Sequence, residues 1–176
     1  MVVYERLTKE NFGPESLDSF CRHQQVSQCW RWVEGEWRLL PIAFVEDWDL
    51  EQRRAHARSI AENLGGSLVG WAAFEEGRVV GYATVATAPF GSENQYLQLD
   101  EFQVSEPCRG RGIGRELFGL ACQGARELHG RKLYISAHSS QESQAAYRAL
   151  GCVHAREINQ QLAQAEPCDL QLEYCL

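Results

Sequence analysis

The stretch Leu97-Gln98-Leu99-Asp100-Glu101-Phe102-Gln103-Val104-Ser105-Glu106-Pro107-Cys108-Arg109-Gly110-Arg111-Gly112-Ile113-Gly114-Arg115 decides how this chain is read. An apolar-patterned strand runs into a turn with glycines at 110, 112 and 114, and a helix begins at once. Glycines there let the backbone turn tightly and leave its N–H groups uncovered. The helix start adds unpaired N–H groups and a partial positive charge. Arg109, Arg111 and Arg115 add full charges. Such a turn suits a phosphate or pyrophosphate. It is not a Walker loop, because Gly114 is followed by Arg115-Glu116 rather than Lys and Ser or Thr. Nor is it a dinucleotide fingerprint, which needs Gly-x-Gly-x-x-Gly and finds Arg115 at the third glycine.

Outward from the turn, the pattern alternates strands and helices. Residues 2–7 read as a strand, and 14–25 as a helix with Pro14 near its first turn. Residues 28–33 and 36–40 form a hairpin around Glu34-Gly35, and 49–64 a helix stopped by Gly65-Gly66. Residues 67–74 and 78–87 make a second hairpin, 95–104 a strand, 112–128 a helix and 132–137 a strand. Ser139-Ser140-Gln141-Glu142 fits a Ser-x-x-Glu capping box opening a helix to Leu150, with strands at 153–158 and 169–175. The expectation is a mixed α/β fold with a mostly antiparallel central sheet flanked by helices.

The composition fits one domain. The chain has 176 residues, 44% hydrophobic and 10% aromatic, long enough to bury a core without metal or disulfides. The net charge of −7, with only Lys9 and Lys132 as lysines, argues against nucleic-acid binding and favours cationic partners. No apolar run reaches the roughly 20 residues of a membrane span, and the first residues lack a secretory pattern. The seven cysteines, with no C-x-x-C pair, read as reduced and mostly buried thiols of a cytoplasmic protein. The scattered cysteines and histidines suggest no metal site.

The motif Arg109-x-x-Gly112-x-Gly114 resembles the signature loop of the GNAT superfamily of acetyl-CoA-dependent N-acetyltransferases, Gln/Arg-x-x-Gly-x-Gly/Ala. Ala145-Ala146-Tyr147-Arg148-Ala149-Leu150-Gly151-Cys152 is similar to the family's second signature, and the Gly81-Tyr82-Ala83 strand is also family-like. The resemblance covers residues 67–158. It implies one GNAT domain with acceptor-side elements in 1–66, an acetyl-CoA core in 67–158 and a closing strand in 159–176. It further implies that backbone N–H groups of Arg109, Gly110, Arg111, Gly112, Ile113, Gly114 and Arg115 hold the pyrophosphate of acetyl-CoA. Phe102, Gln103 and Val104 would lie along the pantetheine, with the Val104 N–H on the thioester carbonyl. Ser140 stands where many relatives carry a pantetheine-contacting Asn, so that contact is altered. Tyr147 aligns with the tyrosine that protonates the departing thiolate. Cys152 replaces an aromatic after Gly151.

The acceptor is less determined. Its amine must lose a proton, and a carboxylate can take it. Asp100 and Glu101 are both candidates. Strand alternation turns only one of them to the substrate; the resemblance favours Asp100, and a bulge would reverse the choice. Trp30, Trp32, Trp37 and Trp48, with the acidic run Glu46-Asp47-Trp48-Asp49-Leu50-Glu51, suit an organic cation. They equally suit a packed N-terminal part in which Asp47 or Asp49 caps a helix. The expected activity is acetyl transfer to a small, cationic amine; the alternatives are a protein or peptide acetyltransferase and a non-catalytic acyl-CoA-binding module. A homodimer is compatible with this reading.

Overall fold

The computed structural model of the protein spans residues 1–176. Its elements are β1 (Val2–Arg6), β2 (His23–Val26), β3 (Cys29–Val33), β4 (Glu36–Leu40), β5 (Phe44–Asp47), α1 (Leu50–Asn63), β6 (Leu68–Glu75), β7 (Arg78–Ala86) and β8 (Tyr96–Val104). They continue with α2 (Ile113–Glu127), β9 (Lys132–Ala137), α3 (Gln141–Leu150), β10 (Val153–His154), α4 (Gln160–Ala165) and β11 (Leu170–Cys175). Seven strands form one sheet in the order β1-β6-β7-β8-β9-β11-β10, antiparallel except at β8–β9. No helix is long and apolar enough to cross a membrane.

The sheet is covered on both faces because its central strands are apolar on both. Along β6, Trp71 and Ala73 join the apolar cluster under α2, whereas Ala72 joins the cluster under α1. Successive strand side chains point to opposite faces, so one strand feeds two cores. Close approach of α2 is set by glycine. A Cβ on Gly124 would lie inside the Trp71 ring, and one on Gly81 would crowd Leu117 and Ile113.

The β8–β9 pairing decides where a site can form. These parallel strands pair only over Tyr96–Gln98 and Lys132–Tyr134. Beyond Gln98 they diverge, and the rest of β8 has a sheet neighbour on its β7 side alone. The Ser105 N–H bonds to Val80 O and the Glu101 N–H to Thr84 Oγ1, both toward β7. By alternation, the N–H groups of Phe102 and Val104 face the open side.

Four expectations need correction. Residues 14–25 are not a helix: Ser16, Asp18 and Phe20 close successive i→i+3 turns, and β2 follows. Tertiary anchoring overrides a weak local preference there, because Leu17 and Phe20 are fully buried and the Cys21 N–H is tied to Ser105 Oγ. β5 is a strand, paired with β2, where the acidic run suggested only a helix approach. α3 is capped by Ser140, which accepts from the Ser143 N–H, rather than by a box based on Ser139. The strand expected at 153–158 shrinks to β10, and α4 occupies 160–165 behind an Asn159 cap. The other cap candidate was right: Asp49 opens α1 in a reciprocal box with Gln52. All seven cysteines are free, with Cys168 and Cys175 exposed.

Candidate active site

The turn from Arg109 to Arg115 connects β8 to α2 through a short 3₁₀ turn at Glu106–Cys108. Gly110 and Gly112 adopt φ of 77° and 83°, the left-handed region that favours glycine. Gly114 has an ordinary backbone, and a Cβ there would sit 3.6 Å from Phe102 and Val104. The six N–H groups from Gly110 to Arg115 have no acceptor within the protein. They form a concentrated donor array at the positive end of a 15-residue helix.

Two of the three arginines of the turn are already engaged. Arg109 donates from Nε to Val104 O at 3.1 Å and from Nη1 to His23 O at 2.7 Å. Arg111 pairs bidentately with the Glu75 carboxylate at 2.6 and 3.0 Å, which holds that carboxyl below its usual range. Arg115 is unengaged. The repulsion expected among three adjacent arginines is therefore relieved by the protein itself. The N–H array and Arg115 remain to receive an anion.

Beside this turn lies a cleft of about 400 Å³, lined by Phe102, Gln103 and Val104 of β8, Arg109, Gly114 and Arg115 of the turn, and Glu142, Ser143, Ala146 and Tyr147 of α3. It occupies the gap where β8 and β9 diverge. A second cavity of about 810 Å³ adjoins it. Gln24, Phe102, Gln103, Ser143 and Tyr147 line both. Tyr147, half-buried at this junction, has no hydrogen-bond partner for its hydroxyl, and burial pushes its phenol well above the usual range.

The larger cavity is acidic. Glu46, Asp47, Asp100, Glu101, Glu166 and Asp169 line it, against Arg22. Burial and the adjacent Glu101 carboxylate raise the Asp100 carboxyl above its usual value. Burial likewise raises Asp169, which accepts from Ser136 Oγ at 3.0 Å. Glu46 accepts from Arg22 at 2.9 Å and from His138 Nε2 at 3.1 Å. His138 Nδ1 accepts the Ser140 N–H at 3.1 Å, so the ring proton sits on Nε2. Glu101 accepts from the Tyr82 hydroxyl at 2.8 Å and from His56 Nδ1 at 2.9 Å.

Asp100 and Glu101 both face this cavity, which strict alternation forbids. The register between β7 and β8 jumps from Thr84↔Glu101 to Val85↔Leu99, so Asp100 is the extra residue of a bulge. The bulge does not choose between the two carboxylates; it admits both.

Other candidates divide. Trp48 lines the cavity, stacked on His56 with ring centroids 3.9 Å apart and Arg22 over it at 5.7 Å. Trp30, Trp32 and Trp37 line neither cavity. Their hairpin docks on the loop before α3 through the Trp30 N–H on Ser139 O, and Trp37 stacks on His154 at 5.4 Å. Trp32 is 61% exposed and Trp37 38%. Ser140 also lies outside the cleft. It is fully buried and spent on capping α3 and accepting from Gln24 at 2.9 Å, and Ser143, one turn on, lines the cleft instead. The Ile113 side chain belongs to the core, so only its N–H faces the turn's opening. Gln24, His56, His138, Glu166 and Asp169 were missed. They come from four separate segments, with no local motif to announce them.

The comparisons agree with this geometry. Residues 27–152 match the model of the acetyltransferase (GNAT) family. Among solved structures, the fold is similar to nourseothricin acetyltransferase, with 18% identity, 98% of this chain and 95% of that chain covered, and a TM-score of 0.69. It is similar to a protein described as a streptothricin acetyltransferase from Bacillus anthracis in complex with acetyl coenzyme A, with 12% identity, coverage of 100% and 99%, and a TM-score of 0.74. It is also similar to an aminoglycoside 6'-N-acetyltransferase complexed with coenzyme A, with 13% identity, coverage of 69% and 79%, and a TM-score of 0.54. With the match running over most of its length, including the turn and α3, the chain belongs to the GNAT family and is an acetyl-CoA-dependent N-acetyltransferase.

Proposed function

We propose that the protein transfers the acetyl group of acetyl-CoA directly to the amine of a small acceptor carrying more than one positive charge. The observation that supports this most is the shared wall of two unlike cavities. One adjoins an array of unpaired N–H groups, and the other gathers six carboxylates against one arginine. The relatives described as acting on streptothricin and nourseothricin, and the aminoglycoside enzyme, point the same way.

In this reading the N–H groups of Gly110 to Arg115 and the Arg115 guanidinium take the pyrophosphate. Pantetheine runs along Phe102 to Val104 and brings the thioester to the junction. The Val104 N–H, on the open side of β8, polarises the carbonyl as a single-donor oxyanion hole. The amine nitrogen, neutral after losing a proton, attacks that carbon. As the C–S bond breaks, the Tyr147 hydroxyl protonates the leaving thiolate, and it is re-protonated as the nitrogen sheds its second proton. Asp100, Asp169 and Glu166 supply the field that draws the cation in, and Trp48 forms part of the cavity wall beside His56.

CoA release measured across a panel of mono- and polyamines, amino acids and peptides tests the proposal. Polycationic small amines should lead the panel, their kcat/KM should fall as salt rises, and Trp48→Ala should raise KM where Trp32→Ala does not. A preference for neutral, anionic or peptide acceptors would overturn it.

A further inference from the structure

Removing the proton from the acceptor ammonium needs a base whose lone pair is free and faces the amine. Most groups of the acidic cavity are excluded by their bonding. Glu46 is held by Arg22 and His138. His138 has both nitrogens occupied, and Asp47 is paired with His23 Nδ1 at 3.2 Å. Glu101, the more buried of the two β8 carboxylates, has both oxygens engaged. An ionised carboxylate only accepts, so His56 must carry its proton on Nδ1, leaving Nε2 with an unshared pair. That Nε2 has no partner in the protein. The ring is held flat against Trp48, with planes 13° apart, and its side chain is 38% exposed, enough to meet a ligand.

We infer that His56 is the general base of acetyl transfer, oriented and electrostatically supported by Glu101, with Tyr82 as the second anchor of that carboxylate. This rests on the acetyl-transfer reading above and assigns its proton acceptor. The acceptor R–NH3⁺ gives one proton to His56 Nε2, and the freed nitrogen pair attacks the thioester carbon. The imidazolium is stabilised by the Glu101 carboxylate and returns the proton to solvent after product release. Glu101 is thus a positioning residue, the role a carboxylate plays beside any catalytic imidazole. The charged and titratable groups around the ring are Asp100 and Glu101 from β8, Tyr82 from β7 through Glu101, and Arg22, whose guanidinium lies 5.7 Å from the centroid of the Trp48 ring on which His56 stacks. Asp100, the bulged residue, adds to the field holding the imidazolium; it, Asp169 and Glu166, whose bonding leaves oxygens free, are the rival bases.

The test has two arms. Long-range ¹H–¹⁵N correlation of the imidazole rings, assigned with His56→Asn, reads the tautomer without any turnover. The proton is expected on Nδ1, and Glu101→Gln should remove that bias. A neutral ring protonated on Nε2 would overturn the inference by itself. In the kinetic arm, kcat/KM of the wild type should rise along an acid limb. His56→Asn, which keeps an N–H for Glu101, should remove the limb and lower kcat/KM by about 10²–10⁴-fold while leaving acetyl-CoA affinity within a few-fold. Asp100→Asn should keep the limb. Wild-type turnover with an unchanged His56→Asn profile, or a limb lost only in Asp100→Asn, would overturn the base assignment alone. A wild type that binds acetyl-CoA yet releases CoA with no amine would overturn the acetyl-transfer reading, and the assignment with it.

Discussion

Replacing Gly112 and Gly114 separately with alanine separates torsion from contact in the donor turn. Gly112 sits at φ 83° and ψ −4° as the N-cap of α2, and an added Cβ would meet nothing within 4 Å. The cost of Gly112→Ala is therefore torsional, roughly 1–2 kcal/mol for an L-residue in the left-handed region. The variant can keep the angle and lose that amount of stability. Alternatively it can relax the turn, aim the N–H groups away from the pyrophosphate and lose it as affinity, up to about 5–30-fold in Kd. The two losses should sum to the torsional figure. Gly114→Ala is the control: its backbone is ordinary, the new methyl would rest 3.6 Å from Phe102 and Val104, and alanine favours a helix over glycine by roughly 0.5–1 kcal/mol. It should melt no lower than the wild type and bind acetyl-CoA within about two-fold, a margin of under half a kcal/mol. Denaturant unfolding and calorimetric titration with acetyl-CoA measure both terms. Equal losses in the two variants, or no loss of either kind in Gly112→Ala, would refute the reasoning.

Tyr147→Phe should leave acetyl-CoA affinity within a few-fold and lower kcat by about 10²–10⁴-fold where chemistry limits the rate, since the proton is needed only as the thiolate leaves. An unchanged kcat in single-turnover experiments would make Tyr147 a packing residue. Glu173→Gln addresses stability. Burial would raise the Glu173 carboxyl, but Lys132 at 2.9 Å, the Tyr96 hydroxyl at 2.5 Å and the Arg156 N–H at 3.2 Å hold it below its usual range. Its contribution is complete above the unfolded-state carboxylate pKa and disappears as pH falls through the lower folded value. The variant should lose about 1.5–3 kcal/mol at neutral pH, and urea titrations should find the gap closing in acid.

The donor half of the site was legible because its chemistry is carried by backbone, and backbone geometry is written in local sequence. Gly110, Gly112 and the helix that follows announce uncovered N–H groups wherever they occur in tandem. Gly151 ends α3 in the same local way, at φ 100°. The acceptor half is assembled from distant segments. His56 meets Glu101 across 45 positions and His138 meets Glu46 across 92, and neither pairing leaves a trace in spacing. The bulge at Asp100 was foreseen as a way for alternation to fail, but its presence depends on how β7 pairs. The tryptophans misled for a related reason. Trp30, Trp32, Trp37 and Trp48 lie close in sequence, yet the β3–β4 hairpin carries three of them off to α3 and β10. The helix expected at 14–25 was lost to the burial of Leu17 and Phe20, a tertiary demand that short-range patterning does not register.

The Arg109 guanidinium joins three pieces of chain: its own turn, the end of β8 through Val104 O, and β2 through His23 O. With Arg111 latched to Glu75, a glycine-rich turn is braced at two points before any ligand arrives. Ordering a free backbone costs about 1–2 kcal/mol per residue, and a braced turn has already met that cost in folding. The brace also has a far end. His23 belongs to the β2–β5 ribbon that carries Glu46 and Asp47 into the acidic cavity. A displacement of that ribbon would be transmitted by one side chain to the donor turn, so the acidic cavity and the N–H array share a mechanical link.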